Sequence, residues 1–509
     1  MGRLTNKEEI FPSIYIEATR DLTERVAPRE AGAICGVGYM PIGNPLYALN
    51  ITSAAEKTKS IKTINGGSPK NETLYHLKDY FGEYQGRVYL GRLLGSGSQV
   101  FPLYFSKPEE GDPYIAPNDH PINIFGEVDS MKDWGDNTPE EAIELLIKLC
   151  PEKTVIVDIK NVEEMMTIII QDEFGNRLYK VTGSANVNSV DDYGESNYIG
   201  NIADDRIIGI KINRYHENYM EDFSVTGTFD GLAFDSGEIN VTHYESILNA
   251  VASKSDYMVS FGQTDAELLK MMKRVSDKAT IGYIVDIKAP TLAIATRQKT
   301  ALGISDEMVY WIWNRTEYKF KSGTQNVGLS GFIAGRSVAR NIHRKLKRAE
   351  YRISGIAGIY HSIPRITPYD IEKLSDDDKT LLTKERINTI EDIDGKICIT
   401  DVLSGLMKET DLMSFPVADA VGYIKRTLGI YLDSQMFKNI SVAKSFVSNE
   451  ARIFFENCQA NAFFDDDAQT PFRFDVYDEN NDTVVIEFIA VMEGVMRKGV
   501  VRSTITREI

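Results

Sequence analysis

The sequence contains no apolar run approaching the roughly 20 residues that cross a bilayer as a helix, which argues against membrane insertion. Cysteine is scarce: Cys35, Cys150, Cys398 and Cys458 are the only four in 509 residues, and none stand at CxxC spacing. That excludes a disulfide framework or a thiolate zinc site and suits a reducing compartment. The six histidines are scattered with no carboxylate or cysteine cluster beside them, so each reads as structural. There is no Walker loop, HExxH, EF-hand loop or Gly-rich dinucleotide turn, and no cofactor is expected. Gly95-Ser-Gly-Ser98 comes nearest to a phosphate loop, but it lacks the lysine and the following helix and reads as a turn. Positive charge is in deficit, 57 Lys and Arg against 74 Asp and Glu, for a net charge of −17. A general binder of nucleic acid or anionic membrane is thereby disfavoured. The opening Met1-Gly-Arg-Leu-Thr-Asn-Lys-Glu-Glu has no signal-peptide core, and Asn6 stands where a myristoylation signal wants Ser or Thr. A soluble protein made in a cytoplasm is expected.

What is present is ordinary for a globular protein: 42% hydrophobic and 26% charged residues, with length for about three domains. Residues 483–492 form an apolar, β-branched run of strand length that reads as buried, and Val500-Val-Arg-Ser-Thr-Ile-Thr-Arg-Glu-Ile509 follows after a basic turn. In that tail Val501, Ile505 and Ile509 share one face, while Val500, Thr504 and Thr506 lie on the other. Phe11-Pro-Ser-Ile-Tyr-Ile-Glu-Ala18 alternates too, with Ile14 and Ile16 on one side and Tyr15 between them. A strand at each terminus presents backbone donors and acceptors that must pair, either within the molecule or with other copies.

Between these ends, residues 31–38 read as a buried strand, 72–81 as an amphipathic helix and 87–94 as another strand. From about 96 to 235 the composition turns to short strands (155–159, 166–171, 178–182, 207–212), with one helical period at 139–149. Helix and strand then alternate: helices at 242–252, 264–279 and 291–302, and strands at 257–261, 281–287 and 308–313. Thr264 with Glu267 has capping-box spacing. This alternation predicts a parallel sheet covered by helices. Ser375 precedes Asp376-Asp-Asp378 as a helix cap, and long helices are expected at 417–437 and 442–464, the second stopped by Asp465-Asp-Asp467. Either acidic triplet could hold a hard cation, although a helix end explains each more simply. The stretch 336–352 holds seven Lys or Arg, among them Arg344, Lys345, Lys347 and Arg348, against Glu350 alone. It reads as an interface or a solvated helix face rather than a nucleic-acid site, because no aromatic interleaving accompanies it.

Taken in order, these pieces resemble the sheath protein of contractile phage tails. Phe11-Pro-Ser-Ile-Tyr-Ile-Glu17 is similar to that family's PGVYVEE strand, and Ala31-Gly-Ala-Ile-Cys-Gly-Val-Gly38 with Leu49-Asn-Ile-Thr-Ser53 to its next strand and turn. Gly86-Arg-Val-Tyr-Leu-Gly-Arg92, Gly328-Leu-Ser-Gly-Phe-Ile-Ala-Gly-Arg-Ser-Val-Ala-Arg340 and Ile387-Asn-Thr-Ile390 resemble later motifs. Two departures stand out: the family's paired prolines before Ser330 are absent, and its GaRT segment is replaced by Ile399-Thr-Asp-Val-Leu-Ser-Gly405.

The resemblance implies a multidomain α/β fold. A core domain would combine an N-terminal arm (1–30) with residues 355–509 and their terminal strand arm. A middle α/β domain would be built from 31–95 and 236–354, and 96–235 would form an outer β-rich insertion. It also implies a structural, non-enzymatic subunit of a virion tail, assembled in the host cytoplasm, with no direct nucleic-acid partner and no membrane insertion. Its partners would be further copies in a helical homopolymer, the tail tube, the baseplate and the tail terminator. Phe11, Ile14, Tyr15 and Ile16 and Val500, Val501, Thr504, Ile505 and Thr506 would be the arms that add strands to neighbours. Arg344, Lys345, Lys347 and Arg348 are candidate contacts between subunits, and Lys425 and Arg426 candidate contacts with the tube. Two other readings stay open at this point: the sheath of a non-viral injection particle, and a cytoplasmic enzyme using the α/β region 240–313.

Overall fold

The structure, a computed structural model, describes residues 32–51, 72–106, 111–126, 130–132, 134, 142–191, 193–213, 221–315, 318–320, 323–342, 371, 373–393, 395–460, 463–464, 468–480 and 483–491. The described chain opens with β1 (Ala33–Gly38), β2 (Ala48–Ile51), α1 (Glu72–Glu83) and β3 (Arg87–Arg92). Eleven strands follow: β4 (Gln99–Val100), β5 (Leu103–Ser106), β6 (Tyr114–Pro117), β7 (Ile122–Asn123), β8 (Ile143–Ile147), β9 (Thr154–Val162), β10 (Met165–Asp172), β11 (Arg177–Ser184), β12 (Ile208–Ile212), β13 (Phe223–Asp230) and β14 (Ala233–Phe234), with one helical turn, α2 (Ile199–Ile202). Alternation then takes over with α3 (Val241–Ala252), β15 (Tyr257–Val259), α4 (Ala266–Ala279), β16 (Gly282–Ile287), α5 (Leu292–Leu302) and β17 (Val309–Trp313). After a small hairpin, β18 (Tyr318–Phe320) and β19 (Gly323–Gln325), come α6 (Ser330–Ile342), α7 (Asp376–Lys384), β20 (Asn388–Ile393) and β21 (Lys396–Ile399). The last elements are α8 (Phe415–Asp433), α9 (Ile440–Ala460), β22 (Phe472–Asn480) and β23 (Thr483–Ala490).

The largest sheet runs β2-β3-β1-β15-β16-β17-β20-β21, with six parallel strands inside and an antiparallel strand at each edge. Of its inner strands β1, β15 and β17 carry no charge and are buried along their whole length, as strands covered on both faces must be. On one face α1 and α6 contribute Leu77, Tyr80, Phe332, Ile333 and Val338 to a core with Ile34, Val259, Ile284 and Ile312. On the other, α3, α4, α5 and α7 bury Leu248, Leu268, Met272, Ala295 and Leu382 against Cys35, Met258, Val285 and Trp311. The sheet takes strands from both sides of residue 354, because β17 pairs with β20 through Ile312↔Asn388 and Trp313↔Thr389.

α1 and α6 meet at small residues. A Cβ on Gly331 would lie 2.3 Å from the backbone oxygen of His76, and one on Gly335 would lie 2.8 Å from the Cβ of Glu83. Glycines four residues apart therefore let the two helices touch through their backbones. This gives a physical reason for the glycine pattern at 328–340.

Between the two parts of the sheet the chain builds a β-sandwich. Sheet β11-β10-β9-β13 faces sheet β12-β8-β5-β6, and Val157, Ile159, Ile168 and Val225 pack against Leu103, Phe105, Ile143 and Leu145. Phe105 stacks on Phe223 at 4.2 Å. The helical period expected at 139–149 is corrected here: its described part is strand β8, paired on both edges with β5 and β12. Ile-Glu-Leu-Leu-Ile suits a buried strand as well as a helix, and the flanking strands decide. Two smaller corrections concern helix starts. Asp265, not Thr264, caps α4 by accepting from the Leu268 amide, and the last helix runs 440–460 rather than 442–464. Ser375 forms the expected cap, with Asp378 completing a capping box.

The third unit is α8, α9 and the hairpin β22–β23. Phe455 of α9 stacks on Phe472 and Phe474, each at 5.2 Å, with Ile486 and Phe488 beside them. The strand expected to be buried at 483–492 is instead half covered. Alternate residues of β23 face α9, while Ile489, on the other face, is 68% exposed. A two-stranded hairpin on one helix has only one face to bury.

Candidate subunit interface

In open α/β sheets ligands bind beyond the carboxyl ends of the strands, where the strand order reverses. Here the order reverses between β1 and β15, and next to that point, beyond the ends of β15 and β16, lies the N-terminus of α6. The protein fills it with its own side chains. Asp286, fully buried, accepts from the amides of Leu329 (2.7 Å) and Ser330 (2.8 Å) through one oxygen. Its other oxygen takes the hydroxyls of Ser260 (2.7 Å) and Ser330 (2.5 Å) and the Gly262 amide (2.9 Å). Burial alone would raise the pKa of Asp286, but the facing His76 and the serine hydroxyls outweigh it and hold the carboxyl below its ordinary range.

Beside it the Gly331 amide donates to Nδ1 of His76 (3.2 Å), and Nε2 of the same ring faces Glu72 Oε1 (3.3 Å). Glu72 also accepts from the Gly328 amide and pairs with Lys288. Ser330, His76 and a carboxylate thus stand in the order of a hydrolytic triad. All are buried, and the oxyanion-binding end of α6 is already occupied by Asp286. The cluster clasps α6 to α1 and β16.

Two further clasps join the units. Arg92 is fully buried at the end of β3, where its guanidinium donates to the carbonyls of Met40 (2.6 Å), Gly43 (2.8 Å), Leu149 (3.0 Å) and Cys150 (2.7 Å) and meets Glu152 at 2.5 Å. It ties the large sheet to the sandwich. Asp419 of α8 accepts from Tyr257 (2.5 Å), Arg340 (2.6 Å) and Asn341 (3.0 Å), tying the third unit to β15 and α6. Burial and the Asp419 charge raise the Tyr257 hydroxyl pKa well above its ordinary value. None of these clasps was singled out from the sequence. The available signal was a charge in an apolar strand: Asp286 in Gly-Tyr-Ile-Val-Asp-Ile and Arg92 closing Arg-Val-Tyr-Leu-Gly-Arg.

The open positions lie elsewhere. β22 and β23 pair with each other from Phe472↔Ala490 to Asn480↔Thr483, and among the described residues neither has a second partner strand. Among those residues the hairpin shows no further partner strand on either backbone edge.

The arm residues Phe11, Ile14, Tyr15, Ile16, Val500, Val501, Thr504, Ile505 and Thr506 lie outside the described residues, as do Arg344, Lys345, Lys347 and Arg348. The start of the basic stretch is described and is held within the chain, with Arg336 on Glu83 at 3.1 Å and Arg340 on Asp419. Lys425 is exposed and borders a cavity of about 150 Å³ with Asp277, Asp306 and Glu307. Arg426, next to it, donates to the Thr280 carbonyl that ends α4. Among the described residues no group of three or more His, Cys, Asp or Glu could hold a metal ion, and no helix is long and apolar enough to cross a membrane.

No protein-family profile and no curated protein sequence matches the chain. Solved structures do. A sheath tail protein from Listeria innocua superposes with a TM-score of 0.51 at 10% identity, covering 92% of this chain and 98% of that one. The fold is that of a tail sheath protein. The helical sheath of the anti-feeding prophage in its contracted state superposes with a TM-score of 0.50 at 10% identity, covering 93% of each chain. The organisation that carries this fold is an α/β sheet joined by buried clasps to a sandwich and to a helical unit whose hairpin has no further partner strand among the described residues.

Proposed function

We propose that this chain is the structural subunit of a contractile tail sheath, polymerising helically around a tail tube and driving it through the host envelope for genome delivery. The observation that carries the reading is the β22–β23 hairpin, whose two edges stay unpaired among the described residues of a chain with a sheath fold over nearly its whole length. The N-terminal arm of one neighbour (Phe11, Ile14, Tyr15, Ile16) and the C-terminal arm of another (Val500, Val501, Thr504, Ile505, Thr506) would complete the ladder. A ladder of about six bonds at roughly 0.5–1.5 kcal/mol net each links two copies by several kcal/mol. Alternation fixes its register, since a slip of one residue would turn Val501, Ile505 and Ile509 away from α9. The buried clasps at Asp286, Arg92 and Asp419 favour each subunit moving as a body while the arms flex. The extended sheath is then metastable, and closer packing on contraction supplies the work without a nucleotide.

The tube would lie inside the sheath and the baseplate and terminator at its ends, in a virion tail. The subunit itself is not an enzyme on this reading, because Asp286 takes the place a ligand would need. The likeness to the anti-feeding prophage sheath supports a second reading, a non-viral injection particle, with the same mechanics and a different cargo.

Negative-stain microscopy of the purified protein tests the proposal. Long hollow cylinders are expected, and only discrete small particles under all assembly conditions would refute it. Deletion of residues 499–509 is expected to leave folded subunits that no longer polymerise; loss of the subunit fold would instead mean that the tail pairs internally.

A further inference from the structure

Glu450, midway along α9, is only 7% exposed, and its Oε2 is buried with no hydrogen-bond partner. Its charge, after burial, helps push the neighbouring Tyr431 hydroxyl up to about 12. An unpartnered buried carboxyl oxygen is unfavourable in a lone chain. Val442, Phe446, Glu450 and Ile453 follow at i, i+4, i+8 and i+11, which places them on one stripe of the helix. Val442 is 57% exposed, Ile453 37%, and Phe446 is half-buried. The stripe leads into the α8–α9 loop, where Met436 is 60% exposed and Phe437 stands fully in solvent. Phe437 is also held in the left-handed region at φ 65°, which is uncommon for a bulky residue.

We propose that this stripe is a docking surface for a second copy of the chain, entered by that copy's basic run at 344–352. The inference rests on the polymer reading above and names a contact within it. A buried carboxyl oxygen without a donor calls for a cation, and an apolar stripe calls for apolar side chains beside that cation. Arg344-Lys-Leu-Lys-Arg-Ala-Glu-Tyr-Arg-Ile353 supplies both, setting Leu346, Tyr351 and Ile353 among five cations in a chain of net charge −17. Phe437, at the tip of the helical hairpin, is left uncovered by the described residues of its own chain, and the polymer reading assigns the occupant to another copy.

The test places the photo-reactive p-benzoylphenylalanine at position 437 and mixes isotopically light and heavy copies at assembly concentration. Cross-links from light to heavy chains onto peptides of 343–354 are expected. If the copies associate but the cross-links fall elsewhere or within one copy, the docking inference falls and the polymer reading stands. If the copies stay monomeric at every concentration, both fall. Glu450→Gln provides a second readout: a subunit melting temperature at or above wild type, with association at least ~10-fold weaker. Unchanged association of that variant would overturn the proposal.

Discussion

Replacing Asp286 by asparagine keeps the shape of the side chain and removes its charge, which makes it a sharp probe of the clasp beneath α6. Five donors converge on the two carboxylate oxygens, from Gly262, Leu329, Ser330 twice and Ser260. An asparagine oxygen can keep the two amides at the head of α6. Its NH2 then meets the Gly262 N–H donor to donor, and both serine hydroxyls must turn around. One stranded buried donor costs about 1–3 kcal/mol. The lost anion at a helix N-terminus adds up to ~2 kcal/mol. Asp286→Asn is thus expected to destabilise the large sheet by about 1–5 kcal/mol.

Two of the three tryptophans, Trp311 and Trp313, lie buried on β17 beside β16, so urea unfolding followed by their fluorescence reports on this region. With a denaturant slope of about 2 kcal/mol per M, the midpoint should fall by roughly 0.5–2.5 M. The pH dependence has a definite sign. The folded-state pKa of Asp286 is depressed, so its contribution is fully present above the unfolded value of about 3.9 and is lost as pH falls toward the folded value. The wild type should lose stability below about pH 4, and the asparagine variant should lose less over the same range. A midpoint within about 0.3 M of wild type at neutral pH would refute the view that this carboxylate holds the unit together.

Other outcomes follow from the same contacts. Gly331→Ala would set a Cβ 2.3 Å from the His76 carbonyl oxygen and force α1 and α6 apart, and hydrogen exchange in both helices should rise by an amount matching about 1–3 kcal/mol. Arg92→Met leaves the carbonyls of Met40, Gly43 and Cys150 and the Glu152 carboxylate without their Arg92 donor, while the Leu149 carbonyl keeps the Gly43 amide. Residues 40–43 and 149–152 should then become the first sites of proteolytic cleavage, and the sandwich core should keep its protection. All four thiols are buried, and burial pushes Cys150 up to about 12, so a thiol reagent at pH 8 should count none in the folded protein and four in denaturant.

Much of the architecture was legible because its residues answer to local rules. Leu268, Leu269, Met271, Met272 and Val275 form the stripe of α4, and Val155, Val157 and Ile159 alternate along β9; the structure buries both sets. Ile143–Ile147 was misread because five residues cannot separate a helix from a strand, and the deciding partners, β5 and β12, are distant in sequence. The clasps were hidden for the same reason. The five donors of Asp286 come from 260–262 and 329–330, and Arg92 reaches residues up to 60 positions away. At the candidate interface, the apolar, β-branched run placed a strand at 483–492 but could not show that, among the described residues, β22 alone would pair with it.

The central claim, that each subunit is completed by strands of its neighbours, is tested most directly by electron cryomicroscopy of the assembled protein at a resolution that traces the backbone. The account predicts a helical cylinder in which residues 10–18 of one copy and 500–509 of another flank β22 and β23 of a third. A discrete particle in which both segments hydrogen-bond within their own chain would contradict it.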